Sequence, residues 1–310
     1  MIMQMREVLA SCLDEFMQAD KKVVVLEADL AKADGTAGLR KKYPEQAFDV
    51  GIAEQNMASV AAGMASYGFK PYITSFSPFA TRRLLDQLTI SIAYSKQNVK
   101  VVGTDPGITA EVNGGTHMGL EDIGCLRSVA DVAIYEPSDP EQLRQAMPQI
   151  NDYQGCLYIR LFRKDLPVIH AADYKFDLFR ADVLREGKDV TLFVSGFLTA
   201  DALKAADELA AKGISAEVVE VHTIKPVDAS TVCASVAKTG CAVTIENHNI
   251  VGGFGSAILE TIAERPVPTV RVGVPDRFGE VGKLPYLRKV MGMTLEDIVA
   301  AAKKAVSLKK

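Results

Sequence analysis

Apolar positions along the chain follow two alternating periods. Over residues 8–18, Val8, Leu9, Cys12, Leu13, Phe16 and Met17 recur at helical spacing, which predicts an amphipathic helix. Val23-Val24-Val25-Leu26 is a short run with no polar face, the pattern of a strand covered on both sides. The alternation continues with a small-residue helix over 53–67, a strand at 72–74, an amphipathic helix over 80–93, and strands at 99–102, 133–135 and 158–161. Pro140 suits the first turn of a further helix, with Ser138 or Asp139 as its cap. Buried strands alternating with helices predict an α/β fold with a mostly parallel sheet and helices on both faces.

Residues 170–188 break the pattern. They are polar, carry both signs of charge and have no clean period, so 169–188 is expected to be a linker holding a short strand or two. Strands then recur at 190–194, 216–221, 242–245 and 269–274, with helices at 200–212, 256–264 and 295–306. Gly213 is placed to stop the helix before it in a left-handed cap. Val251-Gly252-Gly253-Phe254-Gly255 is a Gly-rich loop. The expected organisation is two α/β domains, 1–168 and a smaller one at 189–310.

Composition allows this reading, since 310 residues with 48% hydrophobic content can fill two cores. The 35 basic and 39 acidic residues nearly cancel, which argues against nucleic acid as a partner. Cys12, Cys125, Cys156, Cys233 and Cys241 are scattered, with no CxxC pair or zinc-type spacing, and are expected to be reduced thiols. The N-terminal Met-Ile-Met-Gln-Met-Arg-Glu is broken by charge. No run approaches the roughly 18 apolar residues of a membrane span. A soluble, cytoplasmic protein with no membrane partner is expected.

Four segments carry chemistry-bearing residues. In Phe48-Asp-Val-Gly-Ile-Ala-Glu54-Gln-Asn-Met57 a strand-like run ends in Gly and a helix follows at once. Glu54 near its start is favoured by the helix dipole; kept from water, it is also suited to sharing a proton with a ligand nitrogen. Phe76 and Phe79 stand three apart in a turn closing a strand; they are core cover, or walls of a slot for a heteroaromatic ring. The loop 103–122 follows a strand, where ligand loops sit in parallel sheets. Its Gly114-Gly115 permits close backbone approach, and His117 is a polar contact or proton carrier. In 158–167, Arg160, Arg163 and Lys164 lie at a strand's C-terminal end, a common place for anion binding.

The order of these segments is more specific than any one of them. Asp-Val-Gly-Ile-Ala-Glu-Gln-Asn-Met, Thr-Ser-Phe with a second Phe three later, Gly-Gly-Thr-His-x-x-x-Glu-Asp and Tyr-Ile-Arg-x-x-Arg together resemble the pyrimidine-binding domain of transketolases. Met5-Arg-Glu7 and Leu26-Glu-Ala-Asp-Leu30 are similar to the same family, and Glu246-Asn-His248 followed by Gly-Gly-Phe-Gly-Ser resembles the transketolase C-terminal domain. The resemblance covers nearly the whole chain. It implies thiamine diphosphate shared between two chains, its pyrimidine on one and its diphosphate on the other. Glu54 then matches the carboxylate that bonds N1′ of the aminopyrimidine. Phe76 and Phe79 match the aromatic pair against that ring, and Ile52 lies in the same cofactor-side motif. Asp29 matches an acidic residue reaching the cofactor across the interface. Arg6 and Arg163 match arginines that grip a sugar phosphate, and His117 the histidine of the active-site loop. The implied reaction moves a two-carbon ketol unit from a ketose to an aldose, with the cofactor supplying the nucleophile.

The family's metal and diphosphate motif begins Gly-Asp-Gly, and this chain has none; Ala33-Asp34-Gly35 is the closest string and lies in the wrong context. Mg²⁺ and the diphosphate are therefore expected on a second, N-terminal-type subunit, with no metal ligand on this chain and the two kinds of chain assembled as a heterotetramer. Three positions depart from the family. Asp105 stands where a His is usual, Asn113 where an Asp is, and Arg82 where an aromatic is. All three are expected near the sugar, where the changes in charge favour an unusual donor over pentose phosphates. Alternatives are a deoxyxylulose-phosphate-synthase-like chain, a 2-oxo-acid dehydrogenase beta-like subunit, or a non-catalytic assembly subunit. A generic nucleotide-binding fold is disfavoured, because no Gly-x-Gly-x-x-Gly follows the first strand.

Overall fold

A computed structural model describes residues 4–309; residues 1–3, which open the N-terminal stretch, and residue 310 lie outside it. The strands run β1 (Val23–Glu27), β2 (Ala47–Asp49), β3 (Lys70–Phe76), β4 (Lys100–Thr104), β5 (Val132–Tyr135), β6 (Cys156–Leu161), β7 (Asp182–Arg185), β8 (Val190–Val194), β9 (Ala216–Glu220), β10 (Thr223–Lys225), β11 (Ala242–Asn249) and β12 (Thr269–Val274). They form two sheets, in the orders β10-β5-β6-β4-β3-β1-β2 and β12-β11-β8-β9-β7. Every pairing is parallel except β10 on β5 and β7 on β9. The α/β class with mostly parallel sheets is thus the one the apolar pattern implies. Strands β1, β4, β5, β6, β8 and β9 are buried along their whole length, because helices cover both faces.

The helices bury the faces their spacing assigns. Met5–Ala19 turns Val8, Leu9, Cys12, Leu13 and Met17 inward and packs against Pro140–Asp152. Asp139 is the cap of that second helix: its side chain accepts from the Gln142 N–H at 2.7 Å, relieving one of the unpaired donors of the first turn.

One expectation is corrected. Residues 80–93 do not make one α-helix. A 3₁₀ turn at Arg82–Leu84 leads through a single α turn, Leu85–Gln87, into a π-helix over Leu88–Tyr94. The spacing of Leu84, Leu88 and Ile92 fixes the buried side, but it does not determine whether backbone bonds close over three, four or five residues. The polar linker holds the short strand β7 and is anchored: Phe176, Leu178 and His170 within it are buried. The two halves also share a sheet. Strand β10, from beyond the linker, pairs with β5 in the first half's sheet.

The Gly-rich loop of the first half also packs on the second. A Cβ on Gly107 would lie 2.2 Å from Asn247, and one on Gly115 2.5 Å from the carbonyl oxygen of Gly279. These glycines admit the protein's own backbone as well as any ligand.

Candidate active site

The candidate site residues gather outside the carboxyl ends of β1, β3, β4 and β6, where an open parallel sheet splays its loops. Glu54 is the first residue of the helix Glu54–Ser66 and only 2% exposed. Its Oε1 accepts from Arg83 Nη1 at 2.6 Å. The Arg83 guanidinium lies over the Phe79 ring, 3.8 Å from its centroid. The setting of Glu54 is therefore not the apolar one its neighbours suggest, because one half-exposed guanidinium touches both the carboxylate and the aromatic wall.

Phe76, Phe79 and His117 form a triangle of rings. Centroids stand 6.1 Å apart for the two Phe, which are mutually tilted, and 6.0 and 5.3 Å from His117 to Phe76 and Phe79, which it meets edge-on. Arg163 Cζ lies over the other Phe ring, 5.0 Å from the Phe76 centroid. Arg6 and Arg163 each donate to the carbonyl of Ala33 at 3.1 Å, so two guanidiniums converge on one oxygen. Arg163 also pairs with Asp105 at 2.7 Å. Burial pushes the Asp105 carboxyl up to about 6, against the opposing pull of Arg163 and Lys164.

The remaining expected residues lie on the rim. Ile52 is 75% exposed. Asp29 is exposed, in a left-handed conformation (φ 61), and its N–H donates to Asp49 Oδ1, which also accepts from Gly51. Asn113 is exposed. Arg82 pairs with Glu121 at 2.6 Å and walls a cleft of about 950 Å³ between the 115–121 loop and Asp276–Gly279.

Sequence reasoning does not single out Arg83, Glu27, Asp34 or Asp49. Burial raises the Glu27 carboxyl to about 7, although the Thr36 hydroxyl donates to it. It raises Asp34 to about 6, where Thr104 Oγ1 donates at 2.7 Å. Acidic residues at strand ends were the available signal. Arg160 is a different case. It is fully buried among protein groups; it forks onto Asp122 (2.8 and 3.2 Å), Glu136 (2.5 Å) and the Asn247 carbonyl (2.7 Å). Tyr158 and Ser195 donate to the same carboxylates.

The chain matches known families over most of its length. Residues 2–168 match the transketolase pyrimidine binding domain and residues 180–298 the transketolase C-terminal domain. The chain belongs to the transketolase family. It is 48% identical over 299 residues to the 6-deoxy-6-sulfo-D-fructose transketolase subunit SqwH of Clostridium sp. (strain MSTE9), covering 96% of this chain and 93% of that protein. It is 33% identical over 272 residues to an apulose-4-phosphate transketolase subunit of Phocaeicola vulgatus, covering 87% of each. A solved split-gene transketolase, described as an inactive beta4 tetramer, superposes with a TM-score of 0.90 at 39% identity over 99% of both chains. The chain is thus a transketolase-type subunit of the split form, and its homologues are transferases that imply thiamine diphosphate. No helix among the described residues is long and apolar enough to cross a membrane.

Proposed function

We propose that this chain is the C-terminal-type subunit of a two-chain, thiamine-diphosphate-dependent transketolase. It transfers a two-carbon ketol unit from an anionic ketose to an aldose phosphate, and it acts only with an N-terminal-type partner that holds Mg²⁺ and the diphosphate. The observation that carries this is the single guanidinium of Arg83 lying against both Glu54 and Phe79. A flat, nitrogen-bearing cation already meets a buried carboxylate and an aromatic face in one place, which are the two contacts an aminopyrimidine needs. The residues present therefore fit that half of the cofactor.

When bound, thiamine diphosphate supplies the nucleophilic carbon and the electron sink. Glu54, at the first turn of its helix, holds a proton at the ring nitrogen N1′. Phe76 and Phe79 pack the ring and exclude water. His117, edge-on to both, serves as a proton carrier at the sugar. Arg6 and Arg163 hold the anionic end of the sugar. Asp105, Asn113 and Arg82 set the charge along its hydroxyls, while Ile52 and Asp29 stand on the rim toward the partner. A sulfonated ketose such as 6-deoxy-6-sulfo-D-fructose, named for the 48% identical relative, is the donor we favour over a pentose phosphate. The relative described as an inactive tetramer of this kind of chain supports both self-association and the need for a partner. A cytoplasmic heterotetramer is the assembly we infer.

Reconstitution with the partner tests this. Two-carbon transfer from 6-deoxy-6-sulfo-D-fructose should exceed that from xylulose 5-phosphate, and Glu54→Gln should lower turnover by roughly 10²–10⁴-fold with the assembly intact. Unchanged turnover in Glu54→Gln would refute the role of Glu54. CO₂ release from pyruvate would move the chain to the deoxyxylulose-phosphate-synthase or 2-oxo-acid dehydrogenase chemistry instead.

A further inference from the structure

Away from the sugar site, a second cluster of titratable groups lies where the linker, the end of β9 and the strand crossing back to the first sheet come together. We propose that His170, Asp182 and Glu220, with His222 beside them, bind one divalent transition-metal ion of the Zn²⁺ type. His170 belongs to the linker, Asp182 opens β7, and Glu220 and His222 flank a turn in the chain between β9 and β10.

The geometry suits a small cation. One ligand atom from each of His170, Asp182 and Glu220 lies within 4.8 Å of the other two. His170 Nε2 stands 3.2 Å from Glu220 Oε2, and His222 Nε2 stands 3.7 Å from Asp182 Oδ2. Metal bonds of about 2.0–2.1 Å in a tetrahedron separate ligand atoms by roughly 3.3 Å. The cluster needs to close by at most about 1.5 Å at its widest gap to reach that spacing. Mixed imidazole and carboxylate donors match zinc better than calcium or magnesium, which take oxygen ligands.

The buried polar atoms point the same way. His170 is 5% exposed, and Glu220 and His222 are fully buried. Yet among the described residues His170 Nδ1 and Nε2, Glu220 Oε1 and His222 Nε2 have no aligned hydrogen-bond partner, a costly state for groups withdrawn from water. Three carboxylates, from Asp139, Asp182 and Glu220, face two imidazoles.

The outer partners are those of a built site. Asp139 Oδ2 stands 3.2 Å from His170 Nδ1, on the side away from Glu220, the carboxylate–histidine–metal order seen around metal ligands. Gln142 Nε2 donates to Glu220 at 3.0 Å, and the Tyr174 hydroxyl donates to Asp182. Asp139 in turn caps its helix and accepts from the Ile169 and His170 N–H groups. An ion here would tie the linker to both sheets.

Cobalt titration of the tag-free, chelator-treated chain tests the site. One Co²⁺ per chain is expected, with the intense visible ligand-field bands of a four-coordinate ion, displaced by an equivalent of Zn²⁺ and not by Mg²⁺. Zinc should raise the melting temperature of the wild-type chain. The double variant His170→Gln/Glu220→Gln should lose the bands, whereas His117→Ala, in the other site, should keep them. If the double variant does not fold, the wild-type titration and the Asp182→Asn variant decide. A wild-type chain that takes up no cobalt, or shows only the weak spectrum of the hydrated ion, would establish a plain imidazolium–carboxylate cluster and overturn the proposal. Bands that persist in the double variant or in Asp182→Asn would overturn it as well.

Discussion

Two buried charge clusters, one around Arg160 and one around Glu54, are built in opposite ways. Every polar group about Arg160 is closed by protein: two carboxylates, a tyrosine, a serine and a carbonyl from both halves of the chain. Glu54 is equally buried, but its partner Arg83 reaches it from the half-exposed side and rests on an aromatic ring. A charge that holds a fold together is satisfied from all directions, because an orphaned partner inside the protein is expensive. A charge that serves a ligand keeps one direction that can be exchanged.

Breaking the closed cluster should have the largest effect. Arg160→Met leaves Asp122 and Glu136 unpaired in the interior, and a loss of about 3–5 kcal/mol is expected in denaturant unfolding. Next comes its pH response. Burial, aided by Arg160 and opposed by Asp122, depresses His248 to about 4 from an ordinary 6.5. With the folded value below the unfolded one, the stability His248 confers is full above pH 6.5 and is lost as pH falls through 4. Buried Glu246, raised to about 8, works in the opposite sense: its contribution is full below about 4.5 and is lost as pH rises through 8. Between pH 7 and pH 4 the wild type should therefore lose about 3 kcal/mol relative to His248→Gln. Parallel stability curves for the two proteins would contradict that assignment.

The open cluster should respond in binding more than in stability. Arg83→Met removes the group that covers Glu54 and Phe79. It should cost at most ~1 kcal/mol of stability while tightening thiamine diphosphate in the reconstituted pair by roughly fivefold, as read by calorimetry. Weaker binding would show that Arg83 helps to hold the cofactor. The smallest effect belongs to Arg82→Ala on the cleft side, whose exposed pair with Glu121 is worth under about 1 kcal/mol.

The two clusters also differ in how far they can be read from the chain alone. Local signals, such as the apolar run at β1, Pro140 with its cap Asp139, and the strand–Gly–helix junction before Glu54, are visible because each is specified by residues close in sequence. The Glu54, Phe76, Phe79 and His117 grouping follows from the family resemblance and from the rule that ligand loops gather at strand ends. The environment of Arg160 was hidden, since its partners lie 24 to 87 residues away and a strand-end arginine looks the same whether it meets a ligand or its own carboxylates. Arg83 was hidden for a related reason. Two adjacent arginines carry no mark of which one turns inward; the 3₁₀ turn and π-helix that aim them are settled by tertiary packing, because helical periodicity does not encode hydrogen-bond register.

The antiparallel strand Thr223–Lys225 has a practical bearing on protein engineering. It supplies the last rung of a sheet whose other members all precede residue 168. A chimera cut at the linker would strip that rung away and bare the flank of Val132–Tyr135, leaving unpaired backbone open to foreign chains. Graft boundaries for exchanging modules among these proteins should travel with that short segment and ignore the place where the sequence looks most like a seam.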